Sequence, residues 1–164
     1  MKHNSMRGYF AYELLELMKT HGNIHLLVGD LGYGMFDQLR EEFPDQFTNC
    51  GASEQAMLDI AVGMAYSGNI PVVYSITPFL IYRPFETLRT YINHENLPVK
   101  LVGAGRDKDY AHDGISHWAD DTPLILSTLT NIKQYYPQEK EEITQEYVSE
   151  FVFNDSPAFL SLRR

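Results

Sequence analysis

Ile70-Pro71-Val72-Val73-Tyr74-Ser75-Ile76 is the stretch that decides the fold. It carries no charge and is rich in β-branched residues, so it reads as a strand buried on both faces. Just before it, Glu54–Tyr66 places Met57, Ile60, Ala61, Met64 and Ala65 at helical spacing, and Gly68 fits the C-terminal cap. Just after it, residues 79–94 read as a helix with Pro84 near its start. The alternation runs outward in both directions. Towards the N-terminus come a helix over 9–19, a buried strand at Ile24–Val28, a short helix over 35–43 stopped by Pro44, and a short strand over 46–49. Towards the C-terminus come a strand over 99–103, a long polar loop over 106–121, a helix over 123–129 and a strand over 132–135. An acidic helix over 139–153 and a last strand, Ala158–Leu162, complete the chain. Strands separated by helices define βαβ units, hence an α/β three-layer sandwich with a central, mainly parallel sheet. No repeat, linker or low-complexity segment divides residues 1–164, which read as one domain.

Composition narrows the function classes. Hydrophobic residues make up 44% and charged residues 21%, a globular balance, and the net charge is -9. An acidic chain without a basic cluster is a poor partner for nucleic acid or an anionic membrane. No apolar run approaches the ~20 residues that span a bilayer, and residues 1–16 hold no signal-peptide core. The single cysteine, Cys50, rules out a disulfide within the chain and makes a cytoplasmic location the expectation. With no base beside it, Cys50 reads as a small buried residue rather than a nucleophile. His25, inside an apolar strand, reads as a core histidine.

Ligands of parallel sheets bind beyond the carboxyl ends of the strands. Gly29-Asp30, the run from Gly51 to Glu54, the run from Thr77 to Phe79, and the run from Gly103 to Gly105 all follow expected strands directly, so they converge on one rim. In Asn49-Cys50-Gly51-Ala52-Ser53-Glu54-Gln55-Ala56-Met57, a carboxylate follows a small-residue turn and heads an apolar helix. A helix N-terminus by itself favours such an acid by about 0.3–1 kcal/mol. Phe79, Tyr82 and Phe85 share one helical face. A core stripe would usually be aliphatic, whereas three aromatics suit a flat ring. The loop Asp109-Tyr110-Ala111-His112-Asp113-Gly114-Ile115-Ser116-His117-Trp118 contains a turn at Asp-Gly and two histidines. It lacks the cysteines and the helical His spacing of a metal site, so no metal ligand is assigned. The glycines of Gly29-Asp30-Leu31-Gly32-Tyr33-Gly34 match neither phosphate-loop spacing.

In this order and at these distances, Glu54, the Phe79–Arg89 run and the His112–His117 loop resemble the pyrimidine-binding domain of transketolase-like thiamine diphosphate enzymes. The run Phe79-Leu80-Ile81-Tyr82-Arg83-Pro84-Phe85-Glu86-Thr87-Leu88-Arg89 looks like that family's F-x-x-x-R-x-F-E-x-[LI]-R pattern. The resemblance implies that Glu54 hydrogen-bonds N1′ of the cofactor's aminopyrimidine. That bond favours the tautomer whose 4′-nitrogen takes the C2 proton, and a setting that raises the carboxyl's pKa would help. It implies that Phe79 stacks on the pyrimidine, with Tyr82 and Phe85 completing the pocket, and that Asp30 lies near the cofactor. Arg83 and Arg89 read as interface residues or as solvated helix charges. His117 and Asp113, with His112, match the loop that works on substrate, with Ser116 in place of the usual Thr. The chain departs from the pattern at His112, where a Glu is usual, at Trp118, where a Gln is common, and at Gly105, where transketolases have a His.

The same resemblance implies a second domain that binds Mg²⁺ and the diphosphate through Gly-Asp-Gly and a following Asn, and a third, C-terminal domain; neither is found in the sequence. The expectation is therefore one subunit of a split enzyme, an α₂β₂ heterotetramer with a diphosphate-binding partner. Its reaction would be transfer of a two-carbon ketol unit between sugars or sugar phosphates. A subunit of a 2-oxoacid decarboxylase or dehydrogenase and a non-catalytic regulatory subunit of the same fold are the alternatives. A small flavodoxin-like binding protein is the generic one.

Overall fold

A computed structural model describes residues 3–164; Met1 and Lys2, part of the stretch read as lacking a leader, lie outside the described residues. Six strands form one sheet: β1 (Ile24–Val28), β2 (Phe47–Asn49), β3 (Ile70–Ile76), β4 (Lys100–Ala104), β5 (Lys133–Tyr135) and β6 (Ala158–Leu162). Their order is β2-β1-β3-β4-β6-β5 and every pair is parallel. The helices are α1 (Met6–Met18), α2 (Asp37–Glu42), α3 (Glu54–Tyr66), α4 (Thr77–Tyr82), α5 (Phe85–Thr87), α6 (Thr122–Leu126) and α7 (Gln145–Val152).

The strands alternate between two cores, which is why they read as continuous apolar runs. Leu26, Val28, Val72, Tyr74, Val102 and Leu160 face one layer, where they meet Phe10 and Leu14 of α1 and Phe151 of α7. Leu27, Val73, Leu101 and Phe159 face the other, with Met57 and Leu58 of α3 and Leu80 and Ile81 of α4. The expected three-layer sandwich is the observed one, and its sheet is wholly parallel.

Two expected helices are broken, each for a local reason. The helix over 79–94 starts earlier, at Thr77, because Pro78 fits its first turn. It ends at Tyr82 because Pro84 has no N–H to give. The chain resumes as α5 and then as a π-helical turn, Leu88–Asn93. The acidic helix over 139–153 is a 3₁₀ turn, Lys140–Glu142, followed by α7. Glu139 and Glu142 cap the turn reciprocally, and the Thr144 hydroxyl accepts from the Tyr147 N–H to start α7 afresh. The polar loop over 106–121 contains two 3₁₀ turns, Ala111–Asp113 and Ile115–His117, hinged at Gly114 with φ 82°. The C-terminus of α3 is as expected: Gly68, at φ 82°, donates to the Ala65 carbonyl and Asn69 donates to that of Met64. His25 is half-buried rather than a core residue.

Candidate active site at the strand switch

From β1 the chain moves outward to β2, and then returns to place β3 on the other side of β1. That reversal opens a crevice between the carboxyl ends of β1 and β3. Glu54, the first residue of α3, fills it. Only 2% of Glu54 is exposed. Its Oε1 accepts from the Ser75 hydroxyl at 3.0 Å, and its Oε2 lies 2.7 Å from Nη1 of Arg83. Gly29, at the end of β1, permits this approach. A Cβ there would stand 3.2 Å from Ser75 Oγ and 3.3 Å from Glu54 Oε1.

Arg83 links the carboxylate to the aromatic residues. Its guanidinium carbon lies 3.7 Å from the ring centroid of Phe79, one helical turn earlier. The other side of this group is His117, whose ring meets Phe79 edge-on at 4.8 Å. Nδ1 of His117 is 3.0 Å from the Ser116 hydroxyl. Glu54, Ser75, Arg83, Phe79 and His117 therefore form one chain of contacts running from α3 to the polar loop.

The other expected site residues have different partners. Tyr82 donates its hydroxyl to Asp121 and sits 3.2 Å from Thr122 Oγ1, at the start of α6. Burial first, and Asp121 second, push that phenol up to about 12. Phe85 packs against the core on the α3 side. His112 and Asp113 pair with each other at 3.2 Å on the exposed part of the loop. Asp30, exposed and at φ 57°, accepts from Tyr33 and from Asn49, and these hydrogen bonds hold its carboxyl below the usual range. Cys50 is half-buried, and burial raises its thiol pKa, the wrong direction for a nucleophile. Among the described residues, no group of three His, Cys, Asp or Glu side chains is placed to hold a metal ion.

On the opposite face of the sheet, at the same rim, lies a cavity of about 380 Å³ between Arg7, Leu31, Tyr74, Ile76, Ala104 and Tyr110. Arg7 donates to the Tyr110 hydroxyl at 3.1 Å, while its Nε is buried without a partner among the described residues. Burial also pushes the Tyr74 phenol up, with Arg7 opposing it. The Tyr110 ring stands 6.3 Å from that of His117, so this cavity adjoins the Phe79–His117 pair. Sequence reasoning missed Ser75, Arg7 and Tyr110, and it read Arg83 as an interface residue or a solvated helix charge. Only Arg83 had a usable signal: its i+4 spacing from Phe79 puts both on one helix face.

A parallel α/β domain with a buried carboxylate at its strand switch, an aromatic ring linked to it and a polar loop at the same rim has the architecture of a ligand-binding crevice. Over residues 2–164 the sequence matches the family described as transketolase, pyrimidine binding domain, and the chain belongs to that family. A protein of Methanocaldococcus jannaschii named as a transketolase C-terminal section is 30% identical over 131 residues, which cover 79% of this chain and 42% of that protein. One of the subunits of an apulose-4-phosphate transketolase from Actinobacillus succinogenes is 30% identical over 105 residues, 64% of this chain and 34% of that one. This chain thus spans less than half the length of either relative. In fold it resembles a split-gene transketolase solved as an inactive beta4 tetramer, with a TM-score of 0.86 at 24% identity over 99% of this chain and 52% of that chain. Among the described residues, no helix is long and apolar enough to cross a membrane.

Proposed function

We propose that this chain is the pyrimidine-binding part of a split, thiamine diphosphate-dependent transketolase. In this reading it seats the aminopyrimidine of the cofactor and presents a substrate-facing loop, while a partner subunit holds the diphosphate and Mg²⁺. The observation that carries the reading is the buried Glu54 at the strand switch, linked through Arg83 to the Phe79 ring. The residues fit the group. A planar, nitrogen-bearing group, the guanidinium of Arg83, already lies over Phe79 and bonds Glu54, so the crevice offers a flat aromatic surface and a carboxyl group within reach of a ring nitrogen.

When bound, thiamine diphosphate supplies the carbon nucleophile for ketol transfer. The protein's contribution is positional. Glu54 Oε2 would donate or share a proton with the ring nitrogen, and Ser75 fixes the other carboxylate oxygen so that the acid points one way. Phe79 provides the stacking surface. His117, with Nδ1 turned to Ser116, has Nε2 available to exchange protons with a substrate hydroxyl or carbonyl. Asp113 and His112 lie further out on the same loop and serve the substrate's approach. The Nε–H of Arg7, without a partner among the described residues and beside the cavity shared with Tyr110, suits an oxygen-rich or anionic substrate such as a sugar or sugar phosphate. Tyr82, Phe85 and Asp30 frame the site from their anchored positions. An α₂β₂ heterotetramer accounts for the shared cofactor.

The test is ketol transfer from a ketose donor by the chain mixed with a partner that carries Gly-Asp-Gly. In this reading the Glu54→Gln variant, which keeps the shape and loses the acid, retains less than about one-hundredth of the wild-type rate, the scale of a lost general acid–base group. Turnover near that of the wild type would remove the assignment.

A further inference from the structure

Arg83 occupies the two contacts that the proposed cofactor ring would need. Its guanidinium carbon is 3.7 Å from the Phe79 centroid, within van der Waals contact, so no second flat group fits on that ring face while Arg83 is there. Its Nη1 takes the Glu54 oxygen that faces the same crevice, at 2.7 Å. We infer that Arg83 is a resident plug in the pyrimidine seat: it covers Phe79 and neutralises Glu54 in the free chain, and an incoming aminopyrimidine must displace it from both at once. The inference rests on the reading of the site given above.

The asymmetry of the pair supports an exchange. The Glu54 side chain is 1% exposed, whereas that of Arg83 is 46% exposed. A carboxylate that deeply buried is costly to leave without a cation or a proton, so it needs a partner at every stage. Arg83 is the only cation paired with it among the described residues. A side chain already half in water recovers its hydration easily on leaving. Arg83 is also the C-cap of α4, directly before Pro84, and Glu54 is the hydrogen-bond partner of its guanidinium. An aminopyrimidine offers the same pair of features, a flat face for Phe79 and a nitrogen for Glu54. It would take the guanidinium's place on Phe79, and Glu54 would take up a proton to share with the ring nitrogen as the cation leaves, so the carboxylate is not left as a bare charge. The seat's apparent affinity is then lowered by the fraction of time the plug is in place. Contacts made elsewhere by the diphosphate would supply the drive to displace it.

Two measurements on the complex with a Gly-Asp-Gly partner test this. Calorimetry with thiamine diphosphate and Mg²⁺ compares the wild type with Arg83→Met, which keeps the stem and removes the guanidinium. Arg83→Met should bind about tenfold more tightly, as expected where a plug is present nine-tenths of the time. A folded Arg83→Met complex that binds equally or more weakly would overturn the inference. The second measurement needs no variant. In ¹⁵N-labelled wild-type complex, the Arg83 Nε–H resonance should be shifted upfield by the Phe79 ring before cofactor is added and return to an ordinary position at cofactor saturation. An unshifted resonance before cofactor is added, or a shift that persists at saturation, also overturns it. The two possible failures are distinct. Glu54-dependent cofactor binding with no gain in Arg83→Met removes the plug and leaves the functional reading standing. A ring-shifted Arg83 in a complex that binds no thiamine diphosphate removes the functional reading, and the exchange with it.

Discussion

At Glu54 the tightest boundary is Gly29. Its φ is ordinary, so an alanine there is not strained by the backbone. The constraint is space, because the added methyl would stand 3.2–3.3 Å from Ser75 Oγ and Glu54 Oε1. Gly29→Ala should therefore fold with a loss of about 1 kcal/mol or somewhat more, while the carboxylate is pushed out of register with Phe79. The check pairs thermal unfolding with cofactor binding in the reconstituted complex. Binding should weaken by more than the stability change explains, and unchanged binding would mean that the carboxylate's placement is not critical. Glu54 and Phe79 were legible in the sequence because each stands in a short contiguous pattern with a chemical reason behind it. Gly29 and Ser75 were not, because they meet only through the pairing of β1 with β3, where the Gly29 N–H bonds the Tyr74 carbonyl. Arg7 was invisible for the same reason: α1 comes to the rim only once the sheet has formed. Arg83 was in view but ambiguous, since a helix arginine is usually a solvated charge.

Among the elements, the strands were the easy part, since runs buried on both faces carry little but apolar residues. Helix continuity was harder. Pro84 reads as a tolerable first-turn proline only if the helix begins just before it; with the start at Thr77, the same proline falls where it must break the helix. Thr144 is a capping residue inside an acidic stretch, and its charged neighbours mask it. Element packing also hides one costly group. Lys100, first residue of β4, is fully buried and donates to the carbonyls of Asn154 and Ser156, in the turn between α7 and β6. Burial lowers its pKa to about 8, with Asp155 opposing. Between pH 8 and 10.5 the folded state has then released a proton that the unfolded state still holds, so stability rises with pH across that window. The full effect is about 3 kcal/mol from the shift between 10.5 and about 8. Tyr74, Tyr82 and Tyr147, whose phenols are raised by burial, pull the other way above pH 10. The readable quantity is therefore the difference between wild type and Lys100→Met in denaturant unfolding from about pH 7.5 to 9.5. The wild type should gain on the variant over that range, and parallel curves would contradict the burial argument.

For the whole molecule, the fold places a buried carboxylate, an aromatic face, a histidine loop and a cavity with a guanidinium N–H that has no partner among the described residues along one rim. Nothing in its 164 residues resembles a diphosphate clamp, and the sequence contains no Gly-Asp-Gly. Most of the binding energy for a diphosphate lies in metal and charge contacts, so one rim alone would hold the cofactor weakly. The most direct measurement is calorimetry with thiamine diphosphate and Mg²⁺ on this chain, on a Gly-Asp-Gly partner, and on their mixture, each repeated with Glu54→Gln. The account predicts tight binding in the mixture alone, lost or greatly weakened by Glu54→Gln. Binding that is equal in all three samples, absent from all three, or indifferent to Glu54→Gln would contradict it.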